Sequence, residues 1–192
     1  MAKLHFYYST MNAGKTTNLL QANYNYLEQG MQTWLFTPEF DNRHSEGVIH
    51  SRIGITAKAK TFSQDTNFFD EISWHLVISD DKINCVLVDE AQFLTKEQVL
   101  QLCRIVDEMN IPVLTYGIRN DYLGEPFEGS TYLFANADSL IELKTICHCG
   151  KKATHVVRID HEGKVVKQGD KIQIGGNESY KSMCRKHFYK NM

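Results

Sequence analysis

An α/β fold on a parallel sheet, with a small second unit from about residue 146, is the architecture this 192-residue sequence predicts. Three observations carry that expectation. Strand-like and helix-like stretches alternate from Leu4 to Tyr116, which calls for right-handed crossovers and parallel neighbours in a three-layer core. The run Cys85-Val86-Leu87-Val88 is apolar throughout, as expected of a strand covered on both faces. After Thr145 the texture changes to cysteine, glycine and β-formers such as Val156, Val157, Val165, Val166, Ile172 and Ile174, with turn signals at Glu162-Gly163 and Gly175-Gly176.

The elements follow in order. Leu4 to Tyr8 is a short aromatic and apolar strand; it feeds the loop Ser9 to Thr17, and a helix-forming stretch then runs to about Gln29, with Gly30 placed to cap it. Gln32 to Thr37 is a strand, Pro38 to about Arg52 a polar loop, Ala57 to Phe62 a further strand and Asn67 to Ile72 a helical segment. Thr95 to Met109 carries Val99, Leu102, Cys103, Ile105 and Val106 on one face with Thr95 as N-cap, so it is an amphipathic helix. Ile111 to Tyr116 returns as a strand. A boundary near residue 145 divides the chain into a 1–145 domain and a 146–192 unit.

Composition excludes several functions. Lys and Arg total 21 against 23 Asp and Glu, a net charge of −2 with no like-charged block, so neither a nucleic acid nor a membrane surface is an expected partner. No apolar run is long enough to span a bilayer, and Met1 to Tyr8 is too short an apolar stretch for a signal sequence. The expected compartment is the cytoplasm. Five cysteines, two in apolar stretches (Cys85, Cys103) and three in the polar C-terminal third (Cys147, Cys149, Cys184), do not make a disulfide framework.

Ser9-Thr10-Met11-Asn12-Ala13-Gly14-Lys15-Thr16 lies between a strand and a helix, the context of a P-loop. Such a loop turns backbone N–H groups toward phosphate oxygens and adds the positive end of the helix. Gly14 permits close approach, Lys15 is placed to reach the β- and γ-phosphates, and the Thr16 hydroxyl is a Mg²⁺ ligand. Ser9 stands where the usual pattern has its first glycine; if that position requires a positive φ, serine is strained there, and otherwise its backbone is ordinary. Downstream, Val86-Leu87-Val88-Asp89-Glu90 is an apolar strand ending in acids, where Asp89 is the second Mg²⁺ position. Glu90, next in the chain, is a candidate general base: deprotonating water it makes an ATPase, deprotonating a substrate hydroxyl a kinase. The acid pair in Asp89-Glu90-Ala91-Gln92 also occurs in helicase-type motors, but motors need two packed ATPase domains with a basic track between them, for which 192 residues at a net charge of −2 offer neither the length nor the charge.

Cys147-His148-Cys149 and Cys184-Arg185-Lys186-His187 supply four ligands in two knuckles, a closed Cys₃His set for a structural Zn²⁺. His148, between two ligands, is awkwardly placed to join them. The stretch from 150 to 183 is pinned at both ends, and its later part, Ile172 to Tyr180, offers glycines for close approach and an aromatic ring to stack on a planar ligand.

Together these motifs, with Asp-Glu-x-Gln-Phe at 89–93, Tyr-Gly-x-Arg at 116–119 and Ile-Gly-Gly-Asn-Glu-x-Tyr at 174–180, closely resemble the zinc-containing type II thymidine kinases, over essentially the whole chain. Ser9 and the C-x-C knuckle depart from the commonest pattern in a way that a bacterial subgroup shares. The resemblance implies a RecA-like P-loop domain with a small zinc-ribbon-like lasso domain, and transfer of the ATP γ-phosphate to the 5′-hydroxyl of thymidine in nucleotide salvage. It further implies Glu90 as base, ATP contacts from Ser9 to Thr16 and from Asp89 and Gln92, and Mg²⁺ on Thr16 and Asp89. Met11, Phe93, Tyr122, Phe127 and Tyr180 are implied to line the thymine pocket, and Arg43 to lie near the reacting phosphate. Feedback by dTTP, acceptance of deoxyuridine and a homotetramer are implied in the same way.

Overall fold

The computed structural model describes residues 1–41, 46–169 and 179–192. Arg43 and, of the stretch Ile172 to Tyr180, the part from Ile172 to Glu178 lie outside the described residues. In chain order the elements are β1 (Leu4–Ser9), α1 (Lys15–Glu28), β2 (Thr33–Pro38), β3 (Val48–His50), β4 (Thr56–Lys58), β5 (Lys60–Phe62), α2 (Phe68–Ile78), β6 (Cys85–Val88), a single 3-10 turn (Ala91–Phe93), α3 (Lys96–Met109), β7 (Val113–Ile118), α4 (Glu128–Asn136) and β8 (Ser139–Glu142). A hairpin of β9 (His155–Arg158) and β10 (Tyr180–Met183) follows, closed by α5 (Arg185–Asn191).

Six strands form one sheet in the order β5-β2-β6-β7-β1-β8, and every neighbouring pair is parallel. The fully buried run of β6 explains its unbroken hydrophobicity, because alternate residues feed opposite layers. Val86 and Val88 pack with Phe68, Ile72, Val99, Leu102, Ile105 and Leu133 from α2, α3 and α4. Cys85 and Leu87 pack with Leu19 and Leu20 of α1, together with Leu114 and Tyr116. The expected three-layer α/β arrangement is therefore present.

Several boundaries differ from expectation for local reasons. The polar loop after Pro38 contains β3, which pairs antiparallel with β4. The single strand expected over 57–62 is broken at Ala59, whose N–H donates to Gly47 O; β4 then pairs with β3 while β5 joins the main sheet beside β2. The helix expected to end at Ile72 continues to Ile78, its outer face exposing Trp74, Val77 and Ile78. Helix α4 and strand β8 carry little signal in the sequence, since Glu128–Asn136 has little amphipathic contrast and β8 is half-exposed.

Helix α3 begins as expected at Thr95. Its hydroxyl accepts from Gln98 N while Gln98 Oε1 accepts from Thr95 N, a reciprocal capping box. The same Gln98 side chain donates to Ser63 O and Thr66 O, tying the start of α3 to the loop before α2.

Candidate active site

The site lies at the carboxyl ends of β1 and β6, where parallel α/β sheets open their ligand crevice. Strand β1 ends at Ser9 and α1 starts at Lys15, so residues 10–14 form the turn between them. Asn12 (φ 65°) and Gly14 (φ 75°) take the left-handed positions. Ser9 is in ordinary strand conformation, which removes the steric objection to serine there. Gly14 has no side chain to cap α1, so no side chain covers the first-turn N–H groups, as an anion site requires. Lys15, only 9% exposed, donates from Nζ to Ser9 Oγ (3.2 Å) and to Thr10 O (3.0 Å). Thr10 Oγ1 is buried without a hydrogen-bond partner among the described residues, a polar atom that a phosphate oxygen would satisfy.

Across the crevice, Thr16 Oγ1 donates to Asp89 Oδ2 at 3.1 Å, joining the first turn of α1 to the end of β6. Burial raises the Asp89 acid above the usual carboxylate range, and the Glu90 charge adds to the shift; the Glu90 N–H, Lys15 and the Thr16 hydroxyl partly offset it. A buried carboxylate short of positive charge, touching a threonine hydroxyl, fits a divalent cation.

Glu90 occupies a left-handed conformation (φ 49°, ψ 39°) that costs a non-glycine residue about 1 kcal/mol. Its carboxylate accepts from Gln92 Nε2 at 2.6 Å. Gln92, 2% exposed and expected among the nucleotide contacts, also accepts at Oε1 from Ile118 N.

The aromatic residues fall into two groups. Met11 packs on Tyr122, Val156 and Tyr180. Phe93 meets Phe127 edge to face (ring centroids 5.6 Å apart) and Phe40 likewise (4.8 Å). Asp121 Oδ1 accepts from the N–H groups of Leu123 and Glu125, holding the loop that carries Tyr122 and Phe127.

Two contributors escaped the sequence reading. Buried Arg158 lays its guanidinium over the Tyr122 ring, 4.3 Å from the centroid, and donates to Gln168 O, while Tyr122 Oη donates to Gly169 O. Ser182 Oγ donates to Met11 O, joining β10 to the phosphate loop. An arginine or serine in a β-rich stretch carries no signal for such contacts, because they depend on where the hairpin docks.

The ligand atoms of Cys147, Cys149, Cys184 and His187 all lie within 4.8 Å of one another and can hold a metal ion. Cys147 Sγ is 3.4 Å and Cys184 Sγ 3.5 Å from His187 Nδ1, and Cys149 Sγ is 3.9 Å from Cys184 Sγ. Tetrahedral zinc sets such atoms roughly 3.5 to 3.8 Å apart, so the cluster is compatible with that ion. The His148 ring stacks on His187 and is not among the four.

Fold and site together define an α/β protein with a P-loop-like strand–turn–helix and a compact Cys/His cluster able to hold a metal ion. A family model described as thymidine kinase matches residues 2–188. The chain is 58% identical over 188 residues to the thymidine kinases of Mannheimia succiniciproducens and Coxiella burnetii, covering 98% of this chain and 95% of each of those proteins. It is 54% identical to the thymidine kinase of Vibrio vulnificus, over 98% of this chain and 97% of that one. The chain belongs to the thymidine kinase family, and with it to the kinases.

Proposed function

We propose that this enzyme transfers the γ-phosphate of ATP to the 5′-hydroxyl of thymidine, giving dTMP and ADP in nucleotide salvage, with deoxyuridine as a second acceptor. The observation that carries the reading is the Thr16–Asp89 bond, which brings a phosphate loop against a buried acid whose chain neighbour is Glu90. The loop from Ser9 to Thr16 binds the triphosphate through backbone N–H groups and Lys15. Thr16 and Asp89 hold Mg²⁺, which neutralises phosphate charge when bound. Glu90 takes the proton from the 5′-hydroxyl as that oxygen bonds to the γ-phosphorus and the bond to the ADP oxygen breaks. Met11, Phe93, Tyr122, Phe127 and Tyr180 line the thymine pocket, and Arg43 approaches the reacting phosphate.

The remaining parts of the reading follow the family. Residues 1–145 form the kinase domain and 146–192 a structural zinc unit, the assembly is a homotetramer in the cytoplasm, and dTTP is a feedback inhibitor. Among the described residues no helix is long and apolar enough to cross a membrane.

The test is ATP-dependent phosphorylation of the four deoxynucleosides, followed by chromatography of the monophosphates. Thymidine is expected to be the preferred acceptor, and Glu90→Gln to keep ATP binding while losing at least about 100-fold in kcat. Absent or unselective turnover of thymidine overturns the substrate assignment, and a near-wild-type Glu90→Gln removes Glu90 as base.

A further inference from the structure

We propose that Gln92 is a positioning residue for the Glu90 carboxylate, acting through Glu90 and not through the nucleotide, and that Gly117 is the clearance that makes this possible. The inference rests on the reading of Glu90 as the base.

Gln92 sits in the 3-10 turn directly after Glu90 and is almost completely buried. Its amide orientation is forced. Ile118 N is a backbone donor and needs an acceptor, so Oε1 must face it, at 3.1 Å. Nε2 is thereby turned to Glu90 Oε2, at 2.6 Å, as a donor to a carboxylate. One side chain thus links a rigid strand end to the carboxylate of a residue held in a left-handed conformation. Strand β7 is a firm anchor, because it pairs with both β1 and β6 inside the sheet, and Ile118 O is itself held by Ser130 Oγ at 2.6 Å.

The link runs through a space that two glycines leave open. A Cβ on Gly117 would lie 3.0 Å from both Gln92 N and Gln92 Oε1 and 3.3 Å from the Phe6 ring. A Cβ on Gly129 would lie 2.5 Å from Ala91 O, 2.8 Å from Leu94 O and 2.9 Å from Gln92 O, so α4 presses directly on the backbone of the turn. The turn is clasped between β7 and α4, with room for the glutamine amide and no more. The Tyr116-Gly117 pair noted in the sequence acquires a physical reason here: the tyrosine is core, and the glycine lets the amide pass.

A base displaced by an ångström loses roughly 100-fold in rate, so a side chain that fixes its position acts on kcat without touching substrate. The test compares Gln92→Met, which removes both polar ends, with Gln92→Glu, which keeps an acceptor for Ile118 N and removes the donor to Glu90. Single-turnover phosphorylation, thymidine KM, the Kd of a non-hydrolysable ATP analogue and the thermal midpoint are measured on full-length protein. Both variants are expected to lose roughly 10- to 100-fold in the chemical step, with KM and nucleotide Kd within about threefold of the parent. In a Glu90→Gln background the Gln92 substitutions are expected to cost nothing further, since there is no longer a base to place. Gly117→Ala, which crowds Oε1 without removing it, is expected to give the same signature and covers the case in which Gln92→Met is too unstable to assay.

Unchanged chemistry in Gln92→Glu and Gly117→Ala overturns the proposal, as does a nucleotide Kd that rises in step with the rate loss, or an equal loss in the Glu90→Gln background. An active Glu90→Gln enzyme overturns instead the assignment of the base. An inactive Glu90→Gln beside normal Gln92 variants sinks only the positioning role.

Discussion

Lys15 and Cys85 show how burial directs side-chain chemistry in opposite ways. Lys15 keeps its ammonium inside the protein because Ser9 Oγ and Thr10 O meet it there, and the serine in place of a glycine supplies one of those two acceptors. Cys85 has an apolar environment, which pushes its thiol up to about 12; a hydrogen bond from Tyr26 offsets this only slightly. The thiolate is the reactive form, so at pH 8 Cys85 stays almost wholly in the unreactive thiol form. Iodoacetamide at pH 8 is expected to leave Cys85 unmodified in the native protein and to label it in guanidinium, as read by peptide mass spectrometry. Native labelling of Cys85 as fast as of half-buried Cys103 would contradict this. Asp89 was legible as a site residue because an acid ending an apolar strand has no packing role. Arg158 was not, because its partners Tyr122 and Gln168 come together only through the hairpin.

The best-read elements are those whose residues carry both a pattern and a stop signal. Helix α3 has an apolar stripe, a threonine cap and Gln98 three residues on, and it forms over Lys96–Met109 as expected. Thr95→Ala removes the acceptor for Gln98 N and is expected to destabilise the protein by about 1 kcal/mol in urea unfolding, with more if Gln98 then releases Ser63 O and Thr66 O. A change below about 0.3 kcal/mol would mean that the capping box contributes little to stability. Strand β8 was illegible because it is a half-exposed edge that, among the described residues, pairs only with β1, and α4 because Gly129 and Ser130 face the protein, one clearing the 3-10 turn and the other bonding Ile118 O. Periodicity sees apolar faces and misses helices packed through small or polar residues.

For the whole molecule, the C-terminal hairpin is where fold and site depend on each other. The Cys/His cluster closes its base, its small core gathers Ala153, Val157, Met183 and Phe188, and from that base β10 reaches Met11 while Arg158 reaches Tyr122. A core so small gains most from an ion held at its base, and the Cys/His cluster is placed to hold one. Removing metal from the full-length protein with a strong chelator is therefore expected to lower the thermal midpoint by more than about 5 °C, on a conversion of roughly 2–4 °C per kcal/mol for a chain of this length. Thymidine KM is expected to rise with it. An unchanged midpoint together with far less than one equivalent of zinc in fresh protein would refute a structural metal.

Local chemistry already dictated the alternation of strands and helices, the strand–loop–helix frame of the candidate phosphate site, the Asp89-Glu90 pair and the four residues able to hold a metal, because spacing, burial preference and ligand type are properties of short stretches of chain. Tertiary packing dictated what surrounds them: the sheet order, the Thr16–Asp89 bond, Ser182 on the phosphate loop, and Gln92 running between Ile118 and Glu90 over Gly117. Those contacts join residues far apart in sequence, or depend on the space a distant element leaves, and no short-range pattern encodes either.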